Sequence, residues 1–88
     1  MDRKLRFSRH AQPRMLDFRL DVSDIQRALA SAEVVEEYDD ESELLLGRSG
    51  IQALHIVIRR SEEFTFVITV YVPDPARWDP SFRRRMRP

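Results

Sequence analysis

Two histidines, His10 and His55, are the only ones in the chain. With an ordinary pKa of about 6.5, either could take or give a proton near neutral pH. His10 stands four residues before Arg14, so a helix would carry both on one face. His55 lies in the run ALHIVI and Tyr71 in FTFVITVYV. If these are neighbouring strands, alternation sets His55, Thr69 and Tyr71 on the more polar face, and Phe64, Phe66, Ile68, Val70 and Val72 on the apolar face that the helices cover. Imidazoles, a guanidinium and a phenol are the parts needed for acid–base work beside an anion. The plainer alternative is that each histidine is structural, His10 bonding to a strand carbonyl and His55 sitting among apolar neighbours.

The last residues raise a second possibility. Arg83, Arg84 and Arg85 follow Trp78 and Phe82, two aromatics four residues apart that would anchor the segment on the sheet. Arginines fanning from an anchored base can clamp phosphates in pairs. The competing reading is a solvated basic tail.

Other chemistries find less support. The chain has no cysteine, so it offers no disulfide or thiolate metal site, and its carboxylates show no regular ligand spacing. DDESE reads as a polar hairpin tip, not a calcium loop. GRSG lacks the length and the lysine of a phosphate loop, and Ser49 lacks the setting of a hydrolase nucleophile. The expectation is no metal and no cofactor.

Elements to position these residues can be read from periodicity. Phe7, Ala11, Met15 and Phe18 recur at helical spacing after Ser8, predicting a first helix over about 9–19, with Pro13 delaying its start or bending it. Ser23 with Gln26 reads as a capping box for a second helix over 23–31. EVVEEY, LLLGR, ALHIVIRR and FTFVITVYV then read as four strands joined by short polar turns. Asp74-Pro75 and Asp79-Pro80 each resemble a cap before a proline and start turns or short helices. The expected fold is therefore α+β: two N-terminal helices on the apolar face of a four-stranded antiparallel sheet, with a short C-terminal helical segment after Asp79.

Length and composition fit one domain over 1–88, with 1–5 and 86–88 expected to be loose. The net charge of zero hides a segregation: residues 1–20 sum to +4, 21–43 to −8 and 44–88 to +4. If the two ends meet in the fold they form one basic surface, and the acidic middle forms another. The N-terminus lacks the apolar run of a signal peptide and no stretch has the length of a membrane span, so a cytoplasmic location without membrane contact is expected.

FSRHAQPRM, VSDIQRAL, ALHIVI and ITVYVPDPARWDPSFRRR, in that order, resemble the bacterial domain of unknown function 4258 family, across nearly the whole chain. That family pairs a His-Ala-x-x-Arg-Met element, matched by His10 and Arg14, with a late Pro-Asp-Pro-x-x-Trp element; His55 matches its strand histidine. The resemblance extends distantly to RelE-like and MqsR-like toxins. It implies a RelE-like fold, metal-independent cleavage of RNA, and a cognate antitoxin, a small zinc-finger or helix-turn-helix protein. On that reading His10, Arg14, His55 and Tyr71 are catalytic and Arg83, Arg84 and Arg85 bind RNA. The alternative is a non-catalytic binding module that docks a partner on the same face.

Overall fold

β-branched and aromatic residues crowd the second half of the chain, and there the backbone pairs into a long meander. In the computed structural model, which describes residues 4–86, the elements run β1 (Lys4–Phe7), α1 (Ala11–Asp17), α2 (Val22–Ala30), β2 (Glu33–Glu37), β3 (Glu43–Ser49), β4 (Gln52–Arg60) and β5 (Phe64–Tyr71). The strands form one sheet in the order β1-β5-β4-β3-β2. Strands β2 to β5 pair antiparallel, whereas β1 lies parallel to β5, with Leu5 opposite Thr65 and Phe7 opposite Val67.

The expected fold is corrected in three respects. The sheet has five strands and is mixed, because Lys4–Phe7 adds to the β5 edge ahead of both helices. Lys4 and Leu5, expected to be loose, are therefore strand; the rest of that stretch, and the end of 86–88, lie outside the described residues. The third correction is that no helix follows Asp79. Phe82 takes a left-handed backbone angle, φ 60, which breaks any helical run. The chain instead folds back on itself: Asp79 N–H donates to the Arg84 carbonyl, Met86 N–H to the Arg77 carbonyl, and Trp78 bridges Arg85. Asp74 and Asp79 do begin turns, their carboxylates accepting from the backbone N–H of Ala76 and of Arg83.

Helix α1 is shorter than periodicity suggested, whereas α2 has the expected length and is shifted one residue toward the N-terminus. Pro13 falls in the first turn of α1, where a missing N–H has no helical partner to lose. Arg19, at φ 57, ends the helix, and the Leu20 N–H returns to the Met15 carbonyl. In α2 the capping box is Asp21 with Asp24, two residues ahead of the expected pair; each side chain accepts from the other's backbone N–H.

One sheet face carries the core. Leu45, Leu54, Ile56, Ile58, Val67 and Val70 pack beneath Ala11, Ile25 and Ala28 of the helices, joined by half-buried Leu5 and Phe7. Each large side chain buried there contributes about 1.5–3 kcal/mol. Helix α2 approaches β3 so closely that a Cβ on Gly47 would lie 2.0 Å from the Ala28 carbonyl oxygen. Only glycine permits that contact.

Two bulges set what faces the other way. Val57 pairs Thr69 but Ile58 pairs Val67, leaving Ile68 as an extra residue in β5. The slip inverts the alternation read from the sequence: Thr65 and Val67 turn to the helices with Val70, and Phe64 and Phe66 turn away. A similar slip at Val35 lets Glu33 and Glu36, at odd separation, both share the face of Leu44 and Leu46. Among the described residues no helix is long and apolar enough to cross a membrane.

Candidate functional site

The face turned from the helices is covered in part by the folded-back C-terminal segment, residues 73–86. Its anchor is Trp78, 5% exposed, whose indole meets the His55 ring edge-on with centroids 4.4 Å apart. His55 is fully buried. Its Nε2 lies 2.7 Å from the Phe82 carbonyl, which can only accept, so Nε2 carries the proton and Nδ1 accepts from the Tyr71 hydroxyl at 3.2 Å. Tyr71 stands directly opposite on β5. Burial pushes the His55 pKa down; the Phe82 carbonyl opposes this, the Arg85 cation adds to it, and Glu36 opposes it. Burial likewise pushes the Tyr71 phenol up. Imidazole and phenol are thus both held neutral.

The arginines that follow the tryptophan are not a loose tail. Arg83 pairs with Glu33, and Arg85 with Glu36 at 2.5 Å, while a second Arg85 nitrogen reaches the Tyr38 hydroxyl at 3.4 Å. The Arg85 guanidinium also lies over the Trp78 ring, 4.8 Å from its centroid. The hydrogen bond from Arg85 holds the Glu36 carboxyl below its ordinary range despite partial burial. Arg84 is exposed and contributes its carbonyl to the turn. The acidic strand β2, made one-sided by its bulge, is thus the docking rail of the basic end.

Beside this strap a groove of about 650 Å³ opens, lined by Arg14, Arg77 and Arg85, the carboxylate of Asp74, the rings of Tyr71 and Trp78, and Thr69, Val72 and Met86. Arg14 reaches it because Ser8 ties the start of α1 to β5. The Ser8 hydroxyl donates to the carbonyl of the bulged Ile68 and accepts from the N–H of His10 and Ala11. Arg14 makes no ion pair among the described residues, and Arg77 has only a 4.0 Å approach to Asp74.

Of the residues singled out by sequence, Arg14 and Tyr71 therefore meet in one groove, with Arg85 at its floor. His55 stands behind Tyr71 and does not line the groove; His10 is exposed at the start of α1, outside the lining. Arg77 was missed. Its signal was the Asp74-Pro75 turn, which presents Arg77 beside the tryptophan. No three His, Asp or Glu side chains cluster as a metal site among the described residues.

The architecture is two helices on one face of a mixed five-stranded sheet, with a polar groove between α1, β5 and the C-terminal strap. Residues 7–72 match the family described as Domain of unknown function (DUF4258), and the chain belongs to that family. The match takes in His10, Arg14, His55 and Tyr71 and stops before Arg77, Trp78 and Arg85. No curated protein and no solved structure matches the chain.

Proposed function

We propose that this chain contacts single-stranded RNA through the groove, as a toxin-like member of a two-protein pair, and that binding is the function its geometry supports best. The observation that carries this is the convergence of Arg14 and Arg77, neither in a close ion pair among the described residues, on a cleft lined also by Tyr71, Trp78, Arg85 and a single carboxylate, Asp74. Guanidinium groups take phosphate oxygens in a bidentate fork, and the half-buried Tyr71 ring is the wall open to an unstacked base, the Trp78 indole being covered by His55 and Arg85. Arg84 is exposed outside the groove's lining and free of a carboxylate among the described residues, whereas Arg83 and Arg85 would have to exchange a carboxylate for a phosphate. A neutralising antitoxin, of the zinc-finger or helix-turn-helix kind, would act by covering this groove.

Cleavage is the second reading, and the pairing of Arg14 with Tyr71 in one groove favours it. In that case Arg14 would hold the phosphate while the RNA's own 2′-oxygen bonds to phosphorus, its proton passing to water, and Tyr71 would give its hydroxyl proton to the departing 5′-oxygen, with His55 a positioning residue through its bond to the Tyr71 hydroxyl. Against a catalytic His55 stand its full burial and the use of both ring nitrogens. Incubating the purified protein with an end-labelled transcript, with and without chelator, while following amide shifts by NMR, separates the readings. Binding predicts shifts at Arg14, Tyr71 and Arg77 with an intact transcript. Chelator-resistant cuts lost in Tyr71→Phe would establish cleavage, and no shifts at these residues would sink both.

A further inference from the structure

The strap covers only one end of its sheet face. Toward the other end, Phe64 and Phe66 of β5 lie half-buried and turned from the helices, because the bulge at Ile68 has inverted the strand. Cations surround them. Lys4 is paired in register with Phe64, Arg6 and Arg59 with Phe66. The Arg6 guanidinium lies over the Phe64 ring, 5.3 Å from its centroid. Lys4 and Arg6 make no ion pair among the described residues; Arg59 meets Asp40 in an exposed one.

Two phenylalanines at alternate positions of one strand, with basic side chains on the strands to either side, have the makings of a platform for single-stranded nucleic acid. Every base has a π-face to stack, and the cations follow the backbone. The position matters too. Phe64 and the groove residue Tyr71 belong to the same strand, separated by about 20 Å of extended chain. Thr69, which lines the groove, lies between them on the same face as Val57 and His55. A strand of RNA leaving the groove along β5 would therefore meet the two rings.

We propose that Phe64 and Phe66, flanked by Lys4, Arg6 and Arg59, form a second contact region for single-stranded RNA, continuous with the groove. Phe64 and Phe66 stack bases, and Lys4 and Arg6 hold the phosphates between them. This rests on the RNA reading of the groove, and the experiment separates the two. The probe is a labelled oligoadenylate of about eight nucleotides, within the span that such sheet surfaces occupy. Its affinity is measured for the wild type, for Phe64→Leu with Phe66→Leu, and for Arg14→Gln with Arg77→Gln, each checked for an unchanged melting curve. The paired leucine variant should bind about ten-fold or more weakly, since each lost stack costs on that order. At saturation it should still perturb the fluorescence of Trp78 in the groove. Wild-type affinity in the leucine variant overturns the platform and leaves the groove standing if the glutamine pair is weakened. Wild-type affinity in the glutamine pair, with weakening in the leucine pair, overturns the groove and leaves the platform. Absence of binding by the wild type overturns both. Should the leucine variant melt early, Lys4→Gln with Arg6→Gln replaces it: the salt dependence of log affinity should then lose about 1.4 from its slope, at 0.7 for each lost contact with a single strand. An unchanged slope overturns the platform.

Discussion

The two faces of this sheet are built on opposite rules. Toward the helices, Ile25, Leu54, Ile56 and Val67 are wholly buried and apolar, and their packing tolerates little change. Toward the strap, the contacts are a buried imidazole, an indole, a phenol and a set of arginine–carboxylate pairs. Burial of apolar area stabilises the first face. The second also buries Leu44, Leu46 and Ala53, but adds one large aromatic and polar groups that need particular partners, so it is the face proposed to meet a polar ligand. On the proposed reading, stability resides mainly on one side and RNA recognition on the other.

That contrast can be broken in several places. The largest effect expected on the strap face is Trp78→Ala, about 3–5 kcal/mol of stability lost, because the indole is buried against His55 and beneath Arg85. Chemical denaturation measures it; a loss under about 1 kcal/mol would mean that the strap is not part of the cooperative fold. On the helix face, Gly47→Ala should cost about 1–3 kcal/mol, since the new methyl group must displace the α2 backbone at Ala28. A neutral result there would remove the close approach from the account.

His55 gives the strap face a dependence on pH that the helix face lacks. Its folded pKa lies below the ordinary 6.5, so protonation favours the unfolded chain. The stability that neutral His55 contributes is complete above that value and is lost as pH falls through the lowered folded pKa. Comparing denaturation midpoints at pH 7.5 and pH 5.5 should show this decline in the wild type and its disappearance in His55→Leu. The variant itself should lose about 1–3 kcal/mol at pH 7.5, with the Phe82 carbonyl and Tyr71 hydroxyl left unpartnered. A wild type equally stable at both would contradict the sealed, neutral imidazole.

The smallest effect belongs to the rail. Arg83→Gln with Arg85→Gln removes two ion pairs whose guanidinium groups are about half exposed and screened by solvent, and should leave the melting curve close to that of the wild type. A clear loss in thermal melts would make the arginines structural parts of the strap.

Much of this layout was legible in the sequence, and the failures have physical causes. The long runs around Leu54, Ile56 and Ile58 and around Val67 and Val70 announced β4 and β5, because β-branched residues at such density suit a pleated sheet. What the runs could not show was parity. A single extra residue at Ile68 moves Phe64 and Phe66 from the expected core face to the open one, and bulges carry no composition signal. Strand β1 was invisible for another reason. KLRF is short and half charged, and its partner lies some sixty residues on, so only tertiary pairing makes it a strand. Helix α2 was recognised by its apolar spacing although its cap was misplaced, Ser23 being chosen where Asp21 does the work. In the candidate site, residue type singled out His10, Arg14, His55 and Tyr71, of which the groove brings together only Arg14 and Tyr71; type alone could not tell an exposed imidazole from one sealed under an indole. Nor could it show that Arg83 and Arg85 have carboxylate partners in the acidic middle of the chain.

The central claim is that Arg14 and Arg77 hold RNA phosphates in the groove beside the strap. Titrating a labelled single-stranded RNA against the wild type and against Arg14→Gln with Arg77→Gln, over a series of salt concentrations, tests it most directly. The account predicts weaker binding by the variant at every concentration and a salt slope reduced by about 1.4, the share of two phosphate contacts on a single strand. Equal affinity and an unchanged slope in the two proteins would contradict it.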